Sequence, residues 1–183
     1  MINFKLKMKY LLTNQETERL TFRLLKQSDF DAWLPLFDNK DAARFLAMDS
    51  SKTKQELCEF WFEKVFNRYQ NDLGGMNVLI EKSTGNLIGQ CGLLVQDIDN
   101  KIRLEVGYSI LPKYWGEGFA TEAAIKCKVY AFDHNYSETI ISIIHPENIA
   151  SEKVALKNGM SLTKQVLFHD MPANIFEVKK PLK

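Results

Sequence analysis

The chain has 183 residues, with 24 basic against 23 acidic side chains and a net charge of +1. That length suits one domain whose core is large enough to need no covalent staples. The near balance of charge speaks against nucleic acid or a bilayer surface as the main partner, and no apolar run reaches the roughly 18 residues that a membrane-spanning helix needs.

At the start of the chain Ile2, Phe4, Leu6, Met8 and Tyr10 alternate with Asn3, Lys5, Lys7 and Lys9. A period of two predicts a half-buried strand, and the interspersed lysines exclude a signal peptide. Residues 1–16 are therefore expected to form an extension before a single domain at 17–183. Its strand, at about residues 2–11, is expected to pair with a sheet edge, either in its own chain or across a homodimer. A loosely tied extension is the ordinary alternative.

Leu20 to Leu25 reads as a strand. Ser28 is a candidate N-cap for a short helix carrying Trp33, Leu34, Leu36 and Phe37, with Asp31 in its first turn. Thr53 and Glu56 have the spacing of a capping box. The box opens a longer helix with Leu57, Phe60, Trp61, Val65 and Phe66 at apolar positions, and Gly74 and Gly75 close that region. Met76 to Glu81 and Leu87 to Val95 predict a hairpin about Thr84, Gly85 and Asn86. Asp97 to Asn100 is a polar turn before a strand at Arg103 to Leu111. A helix follows Gly116, with the small residues Ala120, Ala123, Ala124, Cys127 and Ala131 on one face. His134 falls near its C-terminus, where the helix dipole favours an imidazole. Thr139 to Ile144 is a β-branched run suited to a strand buried on both faces. A helix at about Ile149 to Asn158 ends at Gly159. Strands near Ser161 to His169 and Asn174 to Lys179 finish a mixed α/β domain.

Cys58, Cys91 and Cys127 are scattered without C-x-x-C spacing, and His134, His145 and His169 show no ligand spacing. They read as reduced thiols and ordinary imidazoles of a cytoplasmic protein, with no metal site expected.

The most informative stretch is Glu105-Val106-Gly107-Tyr108, then Pro112, then Lys113-Tyr114-Trp115-Gly116-Glu117-Gly118-Phe119-Ala120-Thr121-Glu122. Two glycines ahead of a helix let backbone N–H groups converge on one point, which the helix dipole makes favourable for an anion. A dinucleotide fingerprint needs a third glycine or alanine where Thr121 stands, and no Walker loop is present. A plain glycine turn capping a helix remains open on these residues alone.

This stretch resembles the acetyl-CoA-binding motif of the GNAT acyltransferases, and is especially similar to the branch with the ribosomal-protein alanine and serine N-acetyltransferases. Thr17-Glu18-Arg19-Leu20-Thr21-Phe22-Arg23-Leu24 resembles the opening strand of that branch. Asn148-Ile149-Ala150-Ser151, with Lys157-Asn158-Gly159-Met160, resembles its last helix and the turn after it. The resemblance spans about residues 17–180. It implies a GNAT fold: a mostly antiparallel twisted sheet with one parallel, splayed strand pair, flanked by helices. It also implies acetyl transfer from acetyl-CoA to an amine in a ternary complex, with no metal. The acceptor is a protein N-terminal α-amine or a small amine. A non-catalytic acyl-CoA-binding module on the same fold is the alternative.

The amine must be neutral to attack. A lysine amine, with an ordinary pKa of about 10.4, is mostly protonated at neutral pH, and an α-amine, at about 7.7 to 8.0, much less so. A carboxylate base therefore helps. Glu105, an acid on a largely apolar strand where this family often places its base, is the candidate; an ion pair with Arg103, two residues away on the same face, is the alternative. By resemblance the Val106 backbone steadies the oxyanion. Many family members place a tyrosine seven residues after the motif asparagine, where this chain has Ala155; Ser151 is the candidate that assists the leaving thiolate instead. Asn148 is expected to cap the helix and meet the cofactor. Val106, Tyr108, Lys113, Tyr114, Trp115, Gly116, Glu117, Gly118, Phe119, Ala120, Asn148 and Ser151 are the expected cofactor contacts. Lys113 departs from the family's usual Gln or Arg, and Glu117 stands where a basic residue is common. Trp33, Phe37, Phe45, Trp61, Phe62 and Tyr69 lie in the region that shapes the acceptor pocket, where most are expected to be core. Asp38, Asp41 and Asp49 are read as a solvated loop face or, less simply, as attraction for a cationic amine.

Overall fold

The computed structural model describes residues 9–181. Most of the alternating N-terminal segment lies outside the described residues. Within them, Lys9 and Tyr10 form a turn, the Tyr10 ring meets Tyr136 edge-on, and Leu11 and Leu12 are buried.

Seven strands form one sheet in the order β1-β2-β3-β4-β5-β7-β6. They are β1 Leu20–Arg23, β2 Gly74–Glu81, β3 Leu87–Ile98, β4 Lys101–Ile110, β5 Thr139–Ile144, β6 Ser161–Phe168 and β7 Met171–Lys179. Every neighbouring pair is antiparallel except β4 with β5. That parallel pair is joined at one register position, Glu105 opposite Ile141, and β4 and β5 diverge beyond it. Ser142 braces the start of the divergence by donating its hydroxyl to the Val106 carbonyl, 2.8 Å away.

The helices pack on both faces. The chain of α1 Phe30–Trp33, α2 Ala42–Phe45 and α3 Lys54–Gln70 covers one side, burying Trp33, Leu57, Trp61, Phe62 and Val65. On the other side α4 Phe119–Asp133 presents Ala123, Ala124, Cys127 and Ala131, all fully buried, and α5 Ile149–Lys157 adds Ala155. The small side chains let α4 lie close to the sheet. Cys91 and Cys127 bring their sulfurs to 3.4 Å inside this layer as free thiols.

Several boundaries differ from the sequence expectation for local reasons. The first helix is a mosaic: one α-helical turn between 3-10 segments at Gln27–Asp29 and Leu34–Asp38. Pro35 lacks the N–H that a continuous helix requires. The residue that organises its start is Asp29, not Ser28; its carboxylate accepts from the Lys26 backbone and from Arg23. Gly74 and Gly75 do not precede the hairpin but pair within it, opposite Leu94 and Leu93. β3 and β7 run longer than expected because their turns are only two residues each. Asp99 and Asn100 have φ of 53° and 59°, and His169 and Asp170 have φ of 50° and 61°, the left-handed pair that tight hairpins use. In α3 the buried stripe includes Cys58, Phe62 and Tyr69, while Phe60 is 52 % exposed.

The capping box forms: Thr53 Oγ1 accepts from the Glu56 N–H, and the Glu56 carboxylate accepts from the Thr53 N–H at 2.8 Å. Thr53→Ala is expected to cost about 1 kcal/mol. The measurement is a urea unfolding midpoint that falls with an unchanged slope; an unmoved midpoint would show that the cap contributes nothing.

Candidate active site

The divergence of β4 and β5 opens a cleft of about 790 Å³, within the range of small-molecule sites. Its walls come from β4, β5, the loop before α4, the first turn of α5, α2 and the inner face of α3.

Glu105 stands at the last β4–β5 pair and is only 8 % exposed. Gln96 Nε2 donates to its carboxylate at 2.6 Å, and the backbone of Ile143 makes a further contact. Burial pushes this carboxyl above the usual carboxylate range. The Gln96 hydrogen bond and the charges of Arg68 and Lys64 pull the other way without cancelling that rise. The alternative ion pair with Arg103 is not made. Arg103 turns instead to the Glu177 carboxylate and to Thr139.

Val106, fully buried, and Tyr108 follow on the cleft wall. The Tyr108 hydroxyl donates to the Ser151 carbonyl at 2.7 Å, tying β4 to the first turn of α5. Burial holds that hydroxyl well above the ordinary tyrosine range, so it stays protonated at neutral pH. Asn148 is the N-cap of α5, accepting from the Ser151 N–H at 3.1 Å. Asn148 and Ser151 both line the cleft, and Ala155 is buried in the core beneath.

The glycine loop forms the adjoining wall. Gly116 and Gly118 both have φ of +82°, a backbone region costly for other residues. Gly118 is the N-cap of α4, and a side chain built at Gly116 would meet nothing within 4 Å. Tyr114, Trp115, Phe119 and Ala120 share this wall. The Trp115 indole N–H donates to the Ile110 carbonyl at 2.7 Å, and the Tyr114 ring meets Phe119 edge-on. Two of the residues expected to meet the cofactor through their backbone keep their side chains off the cleft wall. Lys113 is exposed with its ammonium 4.7 Å from the Tyr114 ring centre, and the exposed Glu117 is not on the cleft wall.

Arg19 holds the loop from behind. Its guanidinium pairs with Glu122 at 2.7 Å, donates to the Glu117 carbonyl at 3.0 Å and lies over the Phe119 ring at 4.2 Å. Burial alone would raise the Glu122 carboxyl, but hydrogen bonds from Thr17 and Arg19 outweigh it and hold it low. The segment just before β1 thus positions the loop, a role that its sequence did not disclose.

Of the six aromatic residues expected near an acceptor pocket, Phe45 and Trp61 reach the cleft; Trp33, Phe37, Phe62 and Tyr69 are core. Asp41 pairs with Arg44, which also reaches Glu147 at 2.6 Å across the mouth. Asp38 pairs with Lys54, and Asp49 accepts from Ser51. Lys64, Arg68 and Gln96 line the inner end and went unnoticed in the sequence. Among the described residues no helix is long and apolar enough to cross a membrane, and no group of three or more His, Cys, Asp or Glu side chains is placed to hold a metal ion.

The comparisons agree with this geometry. The family profile for the acetyltransferase (GNAT) domain matches residues 19–161. The uncharacterized N-acetyltransferase p20 of Bacillus licheniformis is 30% identical over 161 residues, covering 84% of either chain. Among solved structures, an acetyltransferase from Agrobacterium tumefaciens superposes with a TM-score of 0.75 at 23% identity, over 91% of this chain and 94% of its own. RimL, a ribosomal-protein α-N-acetyltransferase in complex with coenzyme A, superposes with a TM-score of 0.71 at 15% identity, over 91% and 97%. A parallel pair that splays after one register position, a left-handed Gly-x-Gly turn capping a helix on the cleft wall, and a profile match over most of the chain lead to one assignment: this chain belongs to the GNAT family and is an N-acetyltransferase.

Proposed function

We propose that this chain moves an acetyl group from acetyl-CoA to a primary amine by direct attack in a ternary complex within the β4–β5 cleft. The observation that carries the reading is Glu105, a buried carboxylate at the vertex of the splay with its affinity for a proton raised. A base of this kind is better matched to an amine than an exposed carboxylate is. The family's use of acetyl-CoA supplies the activated acetyl carbon. The residues fit such a cosubstrate: the open face at Gly116 and Gly118 leaves room for phosphates to approach the start of a 15-residue helix.

In the step itself the amine nitrogen bonds to the acetyl carbon as the carbon–sulfur bond breaks. One amine proton passes to Glu105, and the departing thiolate takes a proton through the Ser151 hydroxyl, leaving an N-acetyl amide and a thiol. Val106, one residue past the last strand pair, supplies backbone to steady the oxygen on which charge grows. Tyr108 sets the position of Ser151 through its carbonyl. Residues 17–183 act as one catalytic domain on this reading.

The test pairs calorimetric titration of acetyl-CoA with a thiol-release assay over peptides, polyamines, aminoglycosides and amino acids. Binding with turnover of at least one amine class, lost in Glu105→Gln and Ser151→Ala, is the expected result. Binding with no amine acetylated would favour a module that only senses acyl-CoA. A folded protein that fails to bind acetyl-CoA would overturn both.

A further inference from the structure

The inner end of the cleft carries more positive charge than its own residues balance. Trp61, Lys64, Val65 and Arg68 recur along α3 at i, i+3, i+4 and i+7, and all four line the cleft. Trp61 and Val65 are buried apolar packing. The two cations between them are not explained that way, since a charge on the inward stripe of a helix costs free energy unless something meets it.

Arg68 is only 9 % exposed. It donates from Nη2 to the carbonyls of Leu73 and Val95, at 2.9 and 2.6 Å, and its Nε–H has no acceptor among the described residues. Lys64 is half-buried and makes no ion pair or side-chain hydrogen bond among the described residues. Arg44, at the outer mouth, differs: it is neutralised by Asp41 and Glu147. The carboxylate facing Lys64 and Arg68 is Glu105, already engaged by Gln96 and in ion-pair contact with neither cation. Two cations against one carboxylate leave one positive charge in excess. If the pair existed only to hold Glu105 in place, direct contact would be the economical arrangement, and contact is absent.

We propose that the acetyl acceptor is a small zwitterion of the amino-acid class, with its amine at Glu105 and its carboxylate taken up by Lys64, while Arg68 adds charge from the wall behind. This rests on the acetyl-transfer reading of the same cleft. The two ends of such a molecule match the two signs at the inner end, and an ammonium–carboxylate contact shielded from water is strong and directional. A polyamine brings a second cation toward Lys64, and a protein N-terminus brings a peptide bond where the carboxylate would lie. Neither matches the excess charge.

The experiment uses the full chain saturated with CoA and three matched probe sets: the common L-amino acids, their C-terminal amides, and the corresponding decarboxylated amines. Binding to that CoA complex is read by saturation-transfer NMR, and turnover by thiol release in separate samples that hold acetyl-CoA in place of CoA. Some free amino acids are expected to bind and turn over about tenfold or more better than their amides and decarboxylated partners. Lys64→Met, which keeps the stem and removes the charge, is expected to erase that preference through KM, and Lys64→Arg to restore part of it. Equal or better performance of the amides, a preference unchanged in Lys64→Met, or no binding by any amino acid would each overturn the proposal. Acetyl-CoA affinity measured on the same samples separates the two levels. If it is intact, only the zwitterion fails; if it is absent, the acetyl-transfer reading fails with it.

Discussion

Glu105→Gln is expected to lower kcat/KM by roughly a hundredfold or more at neutral pH, the usual scale for losing a positioned base. Shape and the neighbouring Gln96 are retained, so the loss reports the carboxylate. The wild-type profile should fall on its acid side through a pKa above the ordinary glutamate range, because burial raises this carboxyl more than Gln96, Arg68 and Lys64 lower it. The variant should lack that limb and approach wild type at high pH, where more of the amine is already neutral. Stability moves in the opposite sense. Ionising Glu105 costs more in the folded than in the unfolded chain, so its favourable contribution is complete below the unfolded pKa and is lost as pH rises through the folded one. The melting temperature of the variant relative to wild type should accordingly be higher at pH 7 than at pH 4. A rate profile superimposable on wild type would reject the base assignment.

Gly118→Val should reduce acetyl-CoA affinity by at least about tenfold, measured by calorimetry on folded protein. The glycine has φ of +82° and caps α4 at the cleft wall, where a branched side chain projects toward any phosphate approaching the helix start. Its cost to the fold is bounded. A Cβ there meets only Arg19 Nη2 at 3.6 Å, an ordinary contact, and the left-handed backbone adds about 1–2 kcal/mol of strain, more for a β-branched side chain than for alanine. Gly118→Ala puts a side chain at the same left-handed position with less strain and far less bulk, and should retain more affinity than Val. Equal, undiminished affinity in both variants would remove the loop from the cofactor site.

The parts of the molecule legible in the sequence were those in which a residue type has few ways to be satisfied. Gly116 and Gly118 announced a glycine turn ahead of a helix, Glu105 was out of place on an apolar strand, and Thr53 with Glu56 announced a cap; the structure shows the local geometry of each. Lys64 and Arg68 were illegible for the converse reason. They stand beside Glu63 and Asn67, so no local pattern separates them from a solvated stripe, and only the packing of α3 turns those two inward. Gln96 looked like one more polar residue before a turn, because its value depends on β3 continuing far enough to stand beside Glu105. The Arg19 clamp joins residues about a hundred positions apart, and no local pattern encodes such a contact.

The divergence of β4 from β5 has a consequence beyond making room. Continuous ladder bonding stops at Glu105 and Ile141, so β1 to β4 and β5 to β7 are two sheet fragments meeting at a seam. Among the contacts that cross the seam are that single pair, the Ser142 brace, the Tyr108 bond to the Ser151 carbonyl, the Arg103 contact with Glu177 and the apposition of α4 and α5. Opening along it breaks one strand pair, where parting any other two neighbours would break several, and it widens the cleft. Whatever occupies the cleft touches both fragments, so affinity for it and stiffness across the seam are two readings of one free energy. Selection for tighter binding in such a protein therefore acts, without further design, as selection for a more cooperative fold.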